Sequence, residues 1–421
     1  MNRLNMPLHI FLLIFTSLTG LSVFADQYQS NELIESKAQN AKAIKSISEL
    51  EAELNGLTDD YAKDSTARYL ARHYAQKNTK ESVAKSIEYY QLSLKGKGLS
   101  VYAQQATMLE LLALFYQHKM HQAFLSAVDQ YVELKGVPDT QLNIKTMLVH
   151  YHMNHKNKSL LMANKLLKYH EENDLALEVS DLNQLLFTFY NLQDYIKSAR
   201  IQQYIIAIED NDLEQWLRLS KLHIKNNKPD QASEVLLLAL QKGMTMEQDD
   251  LILICDLLSQ SGNPYFAARL MQQLVDEYKV DHNLENFDRL FTYWYLSQEL
   301  ERAALAKRKS LIYESSTARS LDLAELYYQM QQWDNMNLTI KDACSFPLKD
   351  EFVSRANLLL GISELKLKRE AQAIEAFYNA TMISGKVKEA VAYLNYLNVD
   401  ISDTRRYEQI TGVCAPELVK F

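Results

Sequence analysis

Apolar residues recur along most of the chain at intervals of three and four, which is the spacing of one face of an α-helix. The segment EQWLRLSKLHIKNNKPDQASEVLLLALQKG contains two such stripes, formed by Trp216, Leu219, Ser220 and His223 and by Ala232, Leu236 and Ala239. Pro229 lies between them, where a second helix would begin and where the missing N–H of proline removes no helical hydrogen bond. The pattern predicts two short amphipathic helices joined by a tight turn.

The same arrangement returns at a period of about 34 residues. In ANLLLGISELKLKREAQAIEAFYNATMISG the corresponding positions are Leu360, Gly361, Ala373, Phe377 and Ala380. In both segments twelve residues separate the small residue of the first stripe from the first Ala of the second, and steps of four and three follow. Read in this way, the units begin near residues 180, 213, 247, 284, 317 and 354.

These positions resemble the tetratricopeptide repeat, whose pattern is W-x2-L-G-x2-Y followed by A-x3-F-x2-A and then P. The resemblance implies an all-α fold, a right-handed α-solenoid of antiparallel helix pairs. The chain departs from the pattern because the terminal Pro is mostly missing and because Glu364 stands where the family has Tyr. We expect capping helices over 26–64, about eight or nine repeat units over 65–385 that are clearest from 180 on, and a capping helix with an irregular tail over 386–421.

Residues 1–25 combine a basic Arg3, an uncharged apolar run up to Phe24, and small residues at Val23 and Ala25. This is the pattern of a secretory signal peptide that is cleaved after Ala25. A membrane anchor is the alternative, because the run is close to the length that spans a bilayer. We expect cleavage, and therefore an exported, soluble protein in the periplasm of a Gram-negative bacterium, with no transmembrane segment in its mature form.

Composition and charge narrow the choice of partner. The chain has only 10 Gly and 6 Pro in 421 residues, which suits helical arrays better than sheets with tight turns. Its net charge of −8 argues against nucleic acid or an anionic membrane surface as the main partner. Of its three cysteines, Cys255 lies in an apolar segment and is predicted to be a small buried residue. Cys344 and Cys414 lie near loops or helix ends and could pair in an oxidising compartment.

The sequence contains no G-x-S-x-G, H-E-x-x-H or P-loop lysine motif, so we predict neither an enzyme nor a cofactor. The segment MLVHYHMNHKNK holds His150, His152 and His155. Residues two apart on a helix face different sides, so His150 and His152 should diverge. Only His152 and His155 could then share a metal ion, with His118 and His121 of the preceding unit as further donors.

In the family, the second, fifth, ninth and twelfth residues of the first helix of each repeat face a concave groove. On this frame the groove positions include Gln184, Thr188, Asn191, Lys221, Ile224, Asp288, Thr292, Tyr295, Leu321, Glu325 and Tyr328. The mixture of aromatic and polar side chains suits the capture of an extended or helical segment of another protein.

The leading hypothesis is a non-enzymatic periplasmic scaffold that holds a segment of an envelope or secreted protein in this groove. Exported proteins with such a leader, size and weak repeats resemble accessory components of envelope complexes, among them the repeat protein found beside TonB-type energy-transduction components. Two alternatives stay open. One is a Cu or Zn binding protein that uses the His/Met cluster 147–155, and the other is the helical platform of a cell-wall or polysaccharide-assembly complex. Self-association also stays open.

Overall fold

The computed structural model describes most of the chain from residue 46 to residue 399. The described residues are 46–173, 175–345, 348–382, 386–399 and 413–414. The predicted signal peptide, the first part of the predicted N-terminal cap and most of the predicted tail lie outside these residues. The chain divides into two compact units, Met1–Asp174 and Leu175–Phe421.

The described residues form twenty helices. In the first unit they are α1 (Ile47–Leu54), α2 (Asp60–Lys77), α3 (Lys80–Lys95), α4 (Val101–Gln117), α5 (His121–Glu133), α6 (Thr140–His152) and α7 (Lys156–Glu172). In the second unit they are α8 (Val179–Asn191), α9 (Tyr195–Ile208), α10 (Leu213–Lys225), α11 (Pro229–Gln241), α12 (Gln248–Gln260), α13 (Pro264–Asp276), α14 (Leu284–Leu296), α15 (Leu300–Tyr313), α16 (Thr317–Gln329), α17 (Trp333–Ala343), α18 (Asp350–Lys366), α19 (Glu370–Met382) and α20 (Val387–Tyr396). None of these helices is both long and apolar enough to cross a lipid bilayer.

Within each unit, every helix packs against its neighbour in the chain. The helices from α2 to α19 form consecutive pairs, and we call the first helix of a pair helix A and the second helix B. The prediction of an all-α helical-repeat solenoid is thereby confirmed for the described part of the chain. The predicted start of the array at residue 65 lies inside α2, so the first pair begins earlier than predicted.

Eight of the nine turns from helix A to helix B share one backbone conformation of three residues. The middle residue is left-handed in each, namely Lys119, Asn154, Gln193, Asn227, Gly262, Gln298, Gln331 and Lys368. The next residue donates its N–H to the carbonyl five positions earlier, as Glu299 does to Trp294 at 3.0 Å. This bond satisfies a carbonyl that the end of helix A leaves without a helical partner. The chain therefore reverses within three residues and lays helix B against helix A.

Small residues allow the two helices of a pair to approach closely. A Cβ atom on Gly361 would lie 2.5 Å from the ring of Phe377, which is fully buried between α18 and α19. Ala373 and Ala380 are fully buried on the same helix as Phe377. In α12 the small buried residue is Cys255, and burial raises the pKa of its thiol to about 12. This cysteine is therefore a packing residue whose thiolate is strongly disfavoured.

The last of the described helices, α20, packs against α19. Its Tyr393 stacks on Phe377 of α19, with ring centroids 4.7 Å apart. A disulfide joins Cys344, just after α17, to Cys414, the two cysteines that the sequence suggested as a pair. Asn357 of α18 donates its side-chain N–H to the carbonyl of Cys414 at 2.9 Å. The chain at Cys414 is thus fixed to the end of the repeat array.

Glu364, which replaces the family's Tyr, is buried inside α18. Lys341 Nζ lies 2.6 Å from its Oε1, and Arg369 Nη1 lies 3.2 Å from its Oε2. Burial acts to raise the pKa of Glu364, but the hydrogen bonds from Lys341, Asn337 and Arg369 together hold this pKa below its usual value. An ionised side chain can occupy this core position because cations from two neighbouring segments converge on it.

Gly262 and Gln298 occupy the same left-handed position in neighbouring turns. A Cβ atom on Gly262 would meet no atom within 4 Å, so Gly262→Ala changes only the backbone preference. We expect this variant to lower the free energy of unfolding by about 1 kcal/mol. Gln298→Gly should raise it by about 0.5 kcal/mol, because the greater flexibility of the unfolded chain offsets part of the gain. Urea unfolding followed by circular dichroism measures both changes in unfolding free energy. Changes of the same sign would contradict the expectation that this left-handed position favours glycine over other residues.

Glu364→Gln keeps the shape of the side chain and removes its charge. Because the folded-state pKa of Glu364 is lowered, its charge stabilises the fold above the pKa of an unfolded glutamate, about 4.3. This stabilisation is lost as pH falls through the folded-state pKa. We expect the variant to lose about 1–2 kcal/mol of unfolding free energy at neutral pH, a figure that allows for solvent screening of the two partly exposed cations.

Urea unfolding of this variant over a pH series tests the expectation. The difference from the natural chain should shrink as pH falls below about 4.3. Glu234→Gln, on the exposed side of α11, is the matched control and should change stability by less than about 0.5 kcal/mol. A loss that is independent of pH would mean that the charge of Glu364 is not what stabilises this site.

Candidate partner-binding surface

Two of the predicted repeat frames are displaced by one residue, in opposite directions. The frame from 180 places Tyr190 in the core, whereas the buried stripe of α8 consists of Leu182, Leu185, Leu186 and Phe189. Phe187 and Tyr190 are instead 43% and 41% exposed. In α12 the buried stripe includes Leu251, Ile254, Cys255 and Leu258, one residue later than the frame from 247. The frames from 213, 284 and 317 coincide with the first residues of their helices.

This displacement changes which residues face outward. Thr188, in the displaced frame from 180, is fully buried, so its prediction as a groove residue is wrong. Leu321 is fully buried as well, although the frame from 317 is not displaced, and its prediction is also wrong. Thr188 Oγ1 donates to the carbonyl of Gln184 at 3.0 Å, and the side chain of Gln184 is half-buried. The predicted groove residues that the structure leaves exposed are Asn191, Lys221, Ile224, Thr292, Tyr295 and Tyr328.

Asp288 and Glu325, also predicted to face the groove, connect successive A helices. Arg319 Nη1 of α16 lies 2.6 Å from Asp288 Oδ2 of α14, and Arg355 Nε of α18 lies 2.7 Å from Glu325 Oε1 of α16. A third pair of the same kind joins α14 to α12 through Arg289 and Asp256. These carboxylates therefore stabilise the packing of neighbouring repeats. This structural role explains why acidic residues occur at these positions, and no partner protein is needed to explain them.

A cleft of about 630 Å³ lies between α8 and α10, and we call it the first cleft. Its walls include Asn183, Phe187, Tyr190, Lys221, Ile224 and Lys225. The turn after α8 brings Tyr190 edge-to-face against Tyr195, with ring centroids 5.6 Å apart. Lys225 Nζ lies 5.6 Å from the centre of the Tyr190 ring and 5.3 Å from that of Tyr195, within the range of a cation–π contact.

The sequence predicted Asn191, Lys221 and Ile224 of this cleft but missed Phe187 and Tyr190. Both stripes of α8 have the helical spacing of three, one and three, so periodicity alone could not choose between them. One available signal was the spacing of Tyr190 and Tyr195, five residues apart across a predicted turn. Aromatic residues so placed can meet if the turn is a tight reversal.

A cleft of about 880 Å³, the second cleft, lies at the C-terminal ends of α16, α18 and α20. Tyr328 and Trp333 are again five residues apart and meet edge-to-face, with centroids 5.9 Å apart. Lys366 Nζ lies 5.7 Å from the centre of the Trp333 ring. Tyr393 and Tyr396 of α20 also line the cleft, and Tyr396 is 76% exposed. Tyr328, which the sequence predicted, thus lies in an aromatic cluster that the sequence did not reveal.

The histidines pair differently from the prediction. Nδ1 of His150 lies 3.3 Å from Nδ1 of His155, because the turn after α6 brings residues five apart together. His152 stacks on His121 instead, with ring centroids 5.6 Å apart. No group of three or more His, Cys, Asp or Glu in the described ranges could hold a metal ion. A structural zinc site normally uses four protein ligands.

Comparison with protein-family models gives no match, and comparison with curated proteins gives none either. Solved structures do match. A tetratricopeptide repeat protein from Parabacteroides merdae is 14% identical, with 62% of this chain and 98% of that chain covered and a TM-score of 0.33. The C-terminal part of a TPR repeat-containing protein from Cytophaga hutchinsonii is 15% identical, with 60% of this chain and 99% of that chain covered and a TM-score of 0.35. The structure of Naa15/Naa10 bound to HypK-THB is 12% identical, with 81% of this chain and 57% of that chain covered and a TM-score of 0.46. At these identities the likeness concerns the helical-repeat fold alone.

Asp288→Asn weakens the ion pair with Arg319 while leaving the size of the side chain unchanged. We expect a loss of about 0.5–1 kcal/mol in the free energy of unfolding, because the pair is only partly buried. Thr292→Ala is the control, since this exposed hydroxyl donates to the carbonyl of Asp288 in its own helix at 2.8 Å. Denaturant titration should show a change below about 0.5 kcal/mol for the control. Equal losses in both variants would argue against a stabilising role for the ion pair.

Proposed function

We propose that the protein is a non-enzymatic scaffold that binds a segment of a partner protein in the first cleft. The observation that carries the proposal is the exposure of Phe187, Tyr190 and Ile224, at 43%, 41% and 41%, in one cleft between successive A helices. Large apolar side chains within a concave, polar-rimmed surface are typical anchor points for a protein partner. Both helices are fixed by their turns and by the helices packed beside them, so the anchors are held in place before binding.

The dimensions of the first cleft favour a short peptide segment. Its lining residues run along 183–191 of α8 and 218–225 of α10. Nine helical residues extend over about 13 Å. That length accommodates two turns of a bound helix or about four residues of an extended chain. A segment of this size could place two or three side chains against Phe187, Tyr190 and Ile224.

We propose the periplasm of a Gram-negative bacterium as the compartment and an envelope complex as the setting. The leader predicted at residues 1–25 supports export. The disulfide between Cys344 and Cys414 supports an oxidising compartment, where such bonds persist. Energy-transduction components of the TonB type are among the envelope proteins to examine as partners.

A photo-reactive benzoylphenylalanine in place of Ile224 tests the proposal in intact cells. We expect light to join this position to a discrete segment of an envelope protein, which mass spectrometry identifies. The control carries the same group in place of Leu238, a 52% exposed residue on α11 that lies outside the first cleft. The control should not yield that product.

The segment so identified is then synthesised, and its binding to the purified mature chain is measured by calorimetry. Phe187→Ser and Ile224→Asp should each weaken binding by about tenfold or more, because each removes an apolar anchor. Leu238→Asp should leave the affinity unchanged. If the two cleft variants bind the segment as tightly as the natural chain, the first cleft is not the binding site.

A further inference from the structure

The first and second clefts share one arrangement, although the second lies four repeats further along the chain. In each, the penultimate residue of helix A is a tyrosine, the first residue of helix B supplies the second ring, and the last residue of the next helix A is a lysine. The ring pairs are Tyr190–Tyr195 and Tyr328–Trp333, both with an interplanar angle of 67°. The lysines are Lys225 and Lys366. The same backbone turn therefore presents the same chemistry twice.

The charged residues that line the two clefts are all cationic. The charged residues of the first cleft are Arg218, Lys221 and Lys225, and those of the second are Lys366 and Lys368. No described carboxylate lines either cleft, although the chain has 53 acidic and 45 basic residues. Of the five cations, Arg218 pairs with Glu214 at 3.0 Å outside the lining. Two cationic clefts on an acidic chain favour a ligand that carries negative charge.

We propose that both clefts bind acidic amphipathic segments of a partner protein, an inference that rests on the proposed scaffold function. Each segment sets an apolar side chain against the exposed ring of the cleft, Tyr190 or Tyr328, and its carboxylates against the lysine of that cleft, Lys225 or Lys366. Aromatic rings supply the buried area, and the lysines select against cationic segments. A partner that carries two such segments gains avidity from the two clefts, since the second contact is made within one complex.

The probe is a synthetic amphipathic peptide with Leu and Phe on one helical face and Glu on the other, titrated into the mature chain by calorimetry. A twin peptide with Lys in place of Glu tests the charge. We expect two acidic peptides per chain and no detectable binding of the twin. Lys225→Glu and Lys366→Glu should each weaken one site by about tenfold or more and leave one peptide bound, and the double variant should bind none.

Lys309→Glu is the matched control, because Lys309 Nζ lies 5.6 Å from the ring of Phe287, outside both clefts. It should bind two peptides with the affinity of the natural chain. Tyr396→Ser offers a second variant of the second cleft whose side chain is mostly exposed, so it should fold normally and weaken that site alone. Circular dichroism and the unfolding midpoint verify the fold of each variant.

The outcomes separate this inference from the proposed function. One peptide per chain, removed by Lys225→Glu alone, overturns the second site while the scaffold function stands. Equal binding of both peptides, or an equal loss with Lys309→Glu, overturns the selection by charge. If the chain binds two peptides, and each single lysine variant loses one and the double variant loses both, the inference is supported. Failure to find a partner protein by crosslinking from position 224 would count only against the proposed function.

Discussion

The left-handed residue in the middle of each three-residue turn lets the chain reverse while the last carbonyls of helix A remain hydrogen-bonded. This reversal sets helix B against helix A and fixes the spacing of the repeats. It also brings side chains five residues apart into contact. Tyr190 and Tyr195 meet for this reason, and so do His150 and His155. The candidate binding clefts therefore result from the same turn geometry that builds the array, wherever aromatic residues stand on the two sides of a turn.

Some polar residues stabilise the array, and others line its clefts. The position of each residue relative to the next repeat determines which of these two roles it has. Asp288 and Glu325 face an arginine of the following helix A and are used in ion pairs between repeats. Glu364 is held in the core by Lys341 and Arg369. Lys225 and Lys366 are instead the last residues of their helices, and the Nζ atom of each lies within 6 Å of the centre of an aromatic ring. These cations and the rings beside them form the surface that we propose as the site for a partner.

The sequence predicted the all-α repeat architecture because small and large residues recur at fixed offsets, and helix pairs with this pattern have few ways to pack. It identified Lys221, Ile224 and Tyr328 as surface residues, and it suggested the pairing of Cys344 with Cys414. It did not identify Phe187 and Tyr190, because α8 has two stripes with the same spacing, of which only the buried one is apolar throughout. A displacement of one residue, about 100° around the helix, exchanges the core face and the exposed face.

The sequence alone thus determined the kind of fold, the repeat period and the sign of the overall charge, since these follow from periodicity and composition. The signal peptide predicted at residues 1–25 likewise rests on the sequence alone. Only the tertiary structure decided which stripe of each helix is buried, which carboxylates are taken up by neighbouring repeats, and which histidines meet. These outcomes depend on what the adjacent helices present. The same constraint explains why Lys225 and Lys366, 141 positions apart in the chain, belong to clefts of the same kind.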